Sequence, residues 1–211
     1  MRYRRPSLFV SGFSLLELLV VIAIMAIMAV LSSYAMRGVM AASQLTSATD
    51  SIVGTLTYAR QAATTMSHDV EVRLLTLPGV TGAGASEIRA LQLIEVTDAG
   101  KKQLGRTRFL PTGVMINSTP TLSTLARLPV ENPGSGDPSL PEKGLAYTYR
   151  KFSFRPDGST TLPLLIQNPP PDQFFLSVHQ ETPGMSTSTL PPNFATIQIE
   201  PLTGAVTAYR P

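Results

Sequence analysis

Few residues in this chain are of the types that do chemistry. The 211 residues contain two histidines, His68 and His179, and no cysteine. Thiolate ligation and disulfides are therefore excluded. His68 falls where a helical pattern gives way to an extended one, which suits a cap on the helix C-terminus. His179 alternates with Val178 on an extended run. Neither has a motif partner. The acidic residues that a calcium site would need, Asp172, Glu181 and Glu200, are scattered. The glycine-rich run Val80–Ser86 has no following Lys-Ser/Thr to cradle phosphate. A small basic–aromatic cluster, Arg150-Lys151 beside Tyr147, Tyr149 and Phe152, suits either polyanion contact or a solvated strand face. No catalytic residue, cofactor or metal ligand is expected, and the chain is not expected to be an enzyme.

Glu17 is the exception that carries information. It is the one charge in Phe13–Leu31, an apolar run without proline or glycine. As a helix this run rises about 28 Å, against roughly 30 Å for a bilayer's hydrocarbon core. A carboxylate in hydrocarbon costs about 2.5–3.5 kcal/mol at the helix centre, so such groups tend to be paired and functional. A local account also exists. In the first turn, the helix dipole favours an anion by about 0.3–1 kcal/mol.

The residues around Glu17 resemble the class III signal of type IV prepilins and pseudopilins. Arg2, Arg4 and Arg5 precede Gly12-Phe13-Ser14-Leu15-Leu16-Glu17, and the apolar run follows directly. The resemblance implies cleavage between Gly12 and Phe13 by a membrane prepilin peptidase, which then N-methylates Phe13. It makes Glu17 the fifth residue of the mature chain. The new amine of Phe13 is positive near neutral pH. An axially shifted neighbour sets that amine against Glu17, which relieves both charges and fixes the register of a filament. The competing reading is an ordinary secretory signal peptide. Its h-region would be Leu18–Leu31, with Ser33-Tyr34-Ala35 before a new start at Met36.

Charge supports placement across a membrane. The formal net charge of +3 comes entirely from Arg2, Arg4 and Arg5, so the chain from Phe13 onward is formally neutral. A neutral chain lacks the phosphate-neutralising charge of a nonspecific polyanion binder, and nucleic acid is not an expected partner. Basic residues stay cytoplasmic. The expected topology is a single pass through the bacterial inner membrane, with the N-terminus cytoplasmic and the C-terminal domain periplasmic.

Beyond Ser32 the apolar residues Leu45, Ala48, Ile52, Leu56, Ala59, Ala63 and Met66 recur at helical spacing. This predicts one helix from about Ser14 to Met66. No proline stands near Tyr34, where many family members have one, and Gly38 is the nearest candidate for a break. The expected divisions are a leader (1–12), a membrane and assembly half-helix (13–35), an amphipathic half-helix (36–67) and a β-rich domain (68–211). In that domain Val70–Leu77 alternates as a half-buried strand. Further strands are expected at Ile88–Thr97, Gln103–Leu110, Gly113–Asn117, Leu145–Arg155, Thr160–Ile166 and Phe174–Gln180. A turn falls at Asp98–Lys101 and a proline-rich spacer at Asn168–Asp172. Ala195–Glu200 and Ala205–Tyr209 form a closing hairpin. Residues 118–144, rich in proline and glycine, read as an irregular insertion with one helical turn near Leu122–Leu128.

Three stretches further resemble the GspH/FimT branch of pseudopilins. They are Leu56–Ala63 running into Val70-Glu71-Val72-Arg73, Phe152-Ser-Phe154-Arg-Pro156-Asp-Gly158, and Ile197-Gln-Ile199 leading to Thr203-Gly204-Ala-Val206. The implied fold class is α+β and pilin-like, a long N-terminal helix packed on a C-terminal antiparallel sheet. The implied function is a minor pseudopilin or pilin of a type II secretion pseudopilus or type IV pilus. Its partners would be the prepilin peptidase/methyltransferase, the inner membrane and other pseudopilins. Some FimT-type pilins capture DNA, but with a basic C-terminal region, and this tail has Arg210 alone.

Overall fold

A 52-residue helix, α1 (Leu15–Met66), starts the fold. The computed structural model describes residues 13–77, 87–135, 137, 146–162, 174–181 and 189–210, with backbone only at 32–37 and 39. No proline interrupts α1, and it remains helical through Gly38. Four of its threonines bond back to the helix backbone. Thr46, Thr49, Thr55 and Thr64 each donate a hydroxyl proton to the carbonyl four residues back. For buried Thr49 this bond, 2.8 Å to Leu45, removes the cost of an unpaired polar group. The helix stops at Ser67, the one described non-glycine residue with positive φ (57°), which is a left-handed terminator. His68 caps nothing. Its Nδ1 lies 3.0 Å from Glu95 on the neighbouring strand, because the reversal at Ser67 has already carried it into the sheet.

The chain divides into two compact units, residues 1–41 and 42–211. In the first, all described side chains from Phe13 to Leu31 are exposed. The second contains the rest of α1 and an antiparallel sheet. Its strands are β1 (Asp69–Leu77), β2 (Glu87–Thr97), β3 (Gly100–Gln103), β4 (Arg108–Phe109), β5 (Val114–Ile116), β6 (Thr148–Phe154), β7 (Phe174–Gln180), β8 (Phe194–Ile199) and β9 (Val206–Tyr209). The order across the sheet is β6-β1-β2-β5-β7-β8-β9, and β3 and β4 also pair with β2. The fold is α+β, a long N-terminal helix followed by an antiparallel sheet.

The predicted helical stripe forms the core. Leu45, Ala48, Ile52, Leu56, Ala59 and Ala63 are buried against Val70, Val72 and Leu74 of β1, Phe152 and Phe154 of β6, and Leu176 and Ile197 beyond. The alanines have no bulk beyond Cβ, so larger side chains of the strands supply much of the core volume.

Three expectations about the sheet need correction. β1 is not half-buried; all of it after Asp69 is buried. Its even-numbered side chains face α1, while Leu75 and Leu77 join Ala90 and Tyr149 in a second cluster. The expected single strand Gln103–Leu110 is split into β3 and β4. Gly105 takes φ of 71° between them, and both pieces pair with β2, at Ile94–Thr97 and Ala90–Leu91. The turn expected at Asp98–Lys101 is correspondingly shorter, since β3 begins at Gly100. Leu145, most of Thr160–Ile166, Val80–Ser86 and the Asn168–Asp172 spacer lie outside the described residues. Thr160 itself bridges to Phe154.

The described part of the insertion is fastened to the sheet. Thr124–Arg127 forms a 3-10 turn, near the predicted helical turn, and Leu125 enters the main core. The Phe175 and Ser177 N–H groups donate to the hydroxyls of Thr124 (2.7 Å) and Ser123 (2.9 Å), and the Ser177 hydroxyl donates to the Leu122 carbonyl. Glu131 exchanges two backbone hydrogen bonds with Tyr149, 2.8 and 2.9 Å, so the outer edge of β6 is covered there.

The three stretches that carry the branch resemblance converge. The turn at Gly158 (φ 85°) abuts the turn at Gly204, with Arg60 of α1 beside it. A Cβ on Gly204 would meet the Gly158 carbonyl at 2.3 Å and the Phe154 ring at 3.1 Å. A Cβ on Gly54 would meet nothing within 4 Å. Gly204→Ala should therefore destabilise the protein by roughly 2 kcal/mol or more through left-handed strain and overlap. Gly54→Ala should stabilise it by up to about 1 kcal/mol. Urea unfolding of the two variants in detergent, compared with the wild type, measures both.

Candidate assembly site and the anchored insertion

The start of α1 builds its own first turn. The Ser14 hydroxyl accepts the Glu17 N–H at 3.2 Å, and the Ser14 carbonyl accepts the Leu18 N–H at 3.1 Å. Ser14 is thus the N-cap and Glu17 the third helical residue, the Ser-x-x-Glu arrangement of a capping box. The spacing was present in the sequence, but the sequence reading assigned Ser14 no role. Glu17 is exposed in the positive field of the helix N-terminus, with its backbone fixed by Ser14. Phe13 is 78 % exposed, and Gly12 lies outside the described residues.

Below this end the helix is apolar all round. Leu15, Leu18, Leu19, Ile22 and Ala23 outline a shallow apolar depression. Among the described residues no helix is long and apolar enough to cross a membrane. The described apolar run, Leu15–Leu31, covers about 26 Å, short of the roughly 30 Å of a hydrocarbon core. A face of this extent that is greasy on every side calls for lipid or other helices as cover.

Several candidate chemical residues of the second unit have structural partners. His179 is buried. Its Nδ1 lies 2.8 Å from the Gln180 carbonyl and its Nε2 lies 3.3 Å from the Asn117 amide nitrogen. A carbonyl only accepts, so Nδ1 carries the proton and Nε2 accepts. Glu181 pairs with Arg89 at 3.0 Å, Glu200 is exposed, and Asp172 lies outside the described residues. No group of three or more metal-ligating side chains occurs among the described residues. Strand alternation disperses the basic–aromatic cluster. Phe152 points into the main core and Tyr149 into the second cluster. Arg150 donates to the Ala126 carbonyl (3.1 Å) and the Thr76 hydroxyl (3.3 Å), and Lys151 pairs with Glu131 at 2.7 Å. Arg210 donates to the Thr46 hydroxyl at 2.8 Å.

A buried charge network holds the far end of the insertion, and no sequence signal announced it. Arg73 on β1 is fully buried. It donates to Glu71 and, at 2.7 Å, to Asp137, while its guanidinium lies 4.1 Å from the centre of the Tyr149 ring. Asp137 also accepts from Lys101 (3.3 Å), the Gly134 N–H (2.9 Å) and the Tyr149 hydroxyl (3.3 Å). Two cations thus face two carboxylates. Burial pushes the Asp137 carboxyl up, but the hydrogen bonds from Arg73 and Gly134 and the Arg73 charge outweigh it, and the net value falls well below the usual carboxylate range. Burial pushes the Tyr149 hydroxyl up to about 12, against the pull of Arg73. Burial also opposes the Arg73 charge, yet its bonds to Asp137 and Glu71 raise its pKa overall.

Comparison with known proteins bears on the N-terminal end first. Residues 10–33 match the family described as the prokaryotic N-terminal methylation motif. The chain carries this motif of prepilin-type proteins, and Gly12, Phe13, Ser14 and Glu17 all lie inside it. No match was found among curated proteins. Two solved structures of the minor pseudopilin EpsH from the type 2 secretion system of Vibrio cholerae are similar in fold. One is 13 % identical with a TM-score of 0.43, covering 80 % of this chain and 98 % of that one. The other is 10 % identical with a TM-score of 0.41, covering 80 % and 95 %.

The lowered carboxyl of Asp137 sets a pH dependence. Its stabilisation is complete above the unfolded value near pH 4 and is lost as pH falls toward the folded value. Asp137→Asn should cost roughly 3 kcal/mol at pH 7, because it strips a partner from buried Arg73. It should also flatten the loss of stability below about pH 4 relative to the wild type. Urea unfolding across that pH range tests both effects.

Proposed function

We propose that this protein is a minor pseudopilin or pilin of the GspH/FimT-like branch, a non-enzymatic subunit of a type II secretion pseudopilus or type IV pilus. The observation that carries this reading is the methylation motif at residues 10–33, placed at the head of a helix that exposes apolar side chains on every side from Leu15 to Leu31. In this reading the helix first lies in the inner membrane. The basic leader is cytoplasmic and the β-domain periplasmic. Prepilin peptidase removes residues 1–12 and methylates Phe13. The trimmed helix then leaves lipid for a bundle of like helices.

Glu17 works by neutralisation. Moving the helix into a bundle buries its carboxylate, and the Phe13 amine of an axially displaced neighbour supplies the opposite charge. The Ser14 cap holds the backbone of Glu17 in the first turn. Register follows because only one stagger pairs the charges, while every other stagger leaves both unpaired in a low-dielectric setting.

Two measurements test this proposal. Mass spectrometry of the native N-terminus should find methylated Phe13, and a bulky residue at Gly12 should leave the leader uncut. A chain beginning at Met36 would instead establish ordinary signal-peptide cleavage. Glu17→Ala should still be trimmed yet be depleted at least tenfold from sheared filaments, which immunoblotting reads. Its normal incorporation would refute the role of the charge.

A further inference from the structure

A groove of roughly 300 Å3 opens between α1 and the β3–β4 connection. Leu91 and Leu93 of β2, with Leu104, form its floor, and Gly54, Thr55 and Tyr58 form its helical wall. Arg106 and Arg108 stand at its rim. The volume is that of a small binding site.

Leu91, Leu93 and Leu104 belong to the main core or pack against it, but among the described residues nothing accounts for the glycine and the two cations. Gly54 sits inside a helix, where glycine costs about 1 kcal/mol relative to alanine, yet a Cβ there would meet no atom within 4 Å. Its effect is to leave the wall of the groove bare. Tyr58 is 51 % exposed at the mouth. Arg106 and Arg108 are exposed and, among the described residues, make no ion pair. No acidic residue lines the groove. The segment from Gly100 to Phe109 has four cations and no acid, and of these Lys101 is engaged by Asp137. A local positive field therefore lies over an apolar floor.

We infer that this groove binds a short acidic segment of a partner polypeptide. The ligand sets an apolar side chain on Leu91, Leu93 and Leu104 and a carboxylate against Arg106 and Arg108. Guanidinium forks match carboxylate geometry and give charge-assisted hydrogen bonds. The Tyr58 ring covers the side of the apolar group. A nucleic-acid strand fits less well. Its affinity would come from many phosphate contacts, whereas this site offers two cations over three leucines. The groove shares no lining residue with the helix start at Ser14 and Glu17, so its test does not depend on filament entry.

Fluorescence anisotropy tests the proposal with the full-length protein in detergent micelles. The probe is a fluorescein-labelled, capped hexapeptide of alternating leucine and glutamate. Saturable binding is expected, about tenfold or more weaker in Arg106→Glu/Arg108→Glu and also weakened in Gly54→Leu, which fills the groove. The double charge variant should melt at the wild-type temperature. Absence of saturable binding, equal binding by wild type and both variants, or equal binding of the lysine-for-glutamate peptide overturns the proposal. Tighter binding of a single-stranded oligonucleotide, lost in the same double variant, overturns it in favour of nucleic acid.

Discussion

Everything in the second unit depends on covering one stripe of α1. Leu45, Ile52 and Leu56, interleaved with Ala48, Ala59 and Ala63, present apolar surface that water disfavours. The sheet covers it with the even-numbered residues of β1 and the core residues of β6, β7 and β8. Because the alanines add little bulk, branched and aromatic side chains of the strands, Val70, Val72, Phe152 and Phe154 among them, fill the rest of the core. Register is then set. A slip of one residue in β1 would turn Val72 away from the helix and drive Arg73 into the core.

Covering one face of the sheet leaves the other to be dealt with. There β1 presents Glu71, Arg73 and Leu75, a mixture that neither a solvated face nor an apolar core accommodates. The insertion resolves this by contributing Asp137 to Arg73, while Leu75 and Leu77 pack with Tyr149. A segment whose composition reads as irregular thus completes the charge balance of β1. It does so across 64 residues of sequence.

What could be read in advance follows from how local each signal is. Helical periodicity over residues 45–66 is local, and so are the apolar runs of β2, β7 and β8, so these elements were legible. The pairing of β3 and β4 with successive parts of β2 was not, because it depends on left-handed Gly105 and on which strand edge is vacant. Glu71 and Arg73 read as a polar face because their partner lies in the insertion. His68 read as a cap because the positive φ of Ser67 leaves no mark in residue type. Ser14 was legible and overlooked, since Ser-x-x-Glu is a recognised opening of a helix. The groove beside Gly54 exists only once α1 and the β3–β4 connection are brought together.

The Ser14 cap has a further consequence. The hydroxyl that closes the opening turn belongs to Ser14, downstream of Gly12, so both partners of that bond remain in a chain cut at Gly12. Scission anywhere upstream of Ser14 would cost that end no hydrogen bond made by its cap.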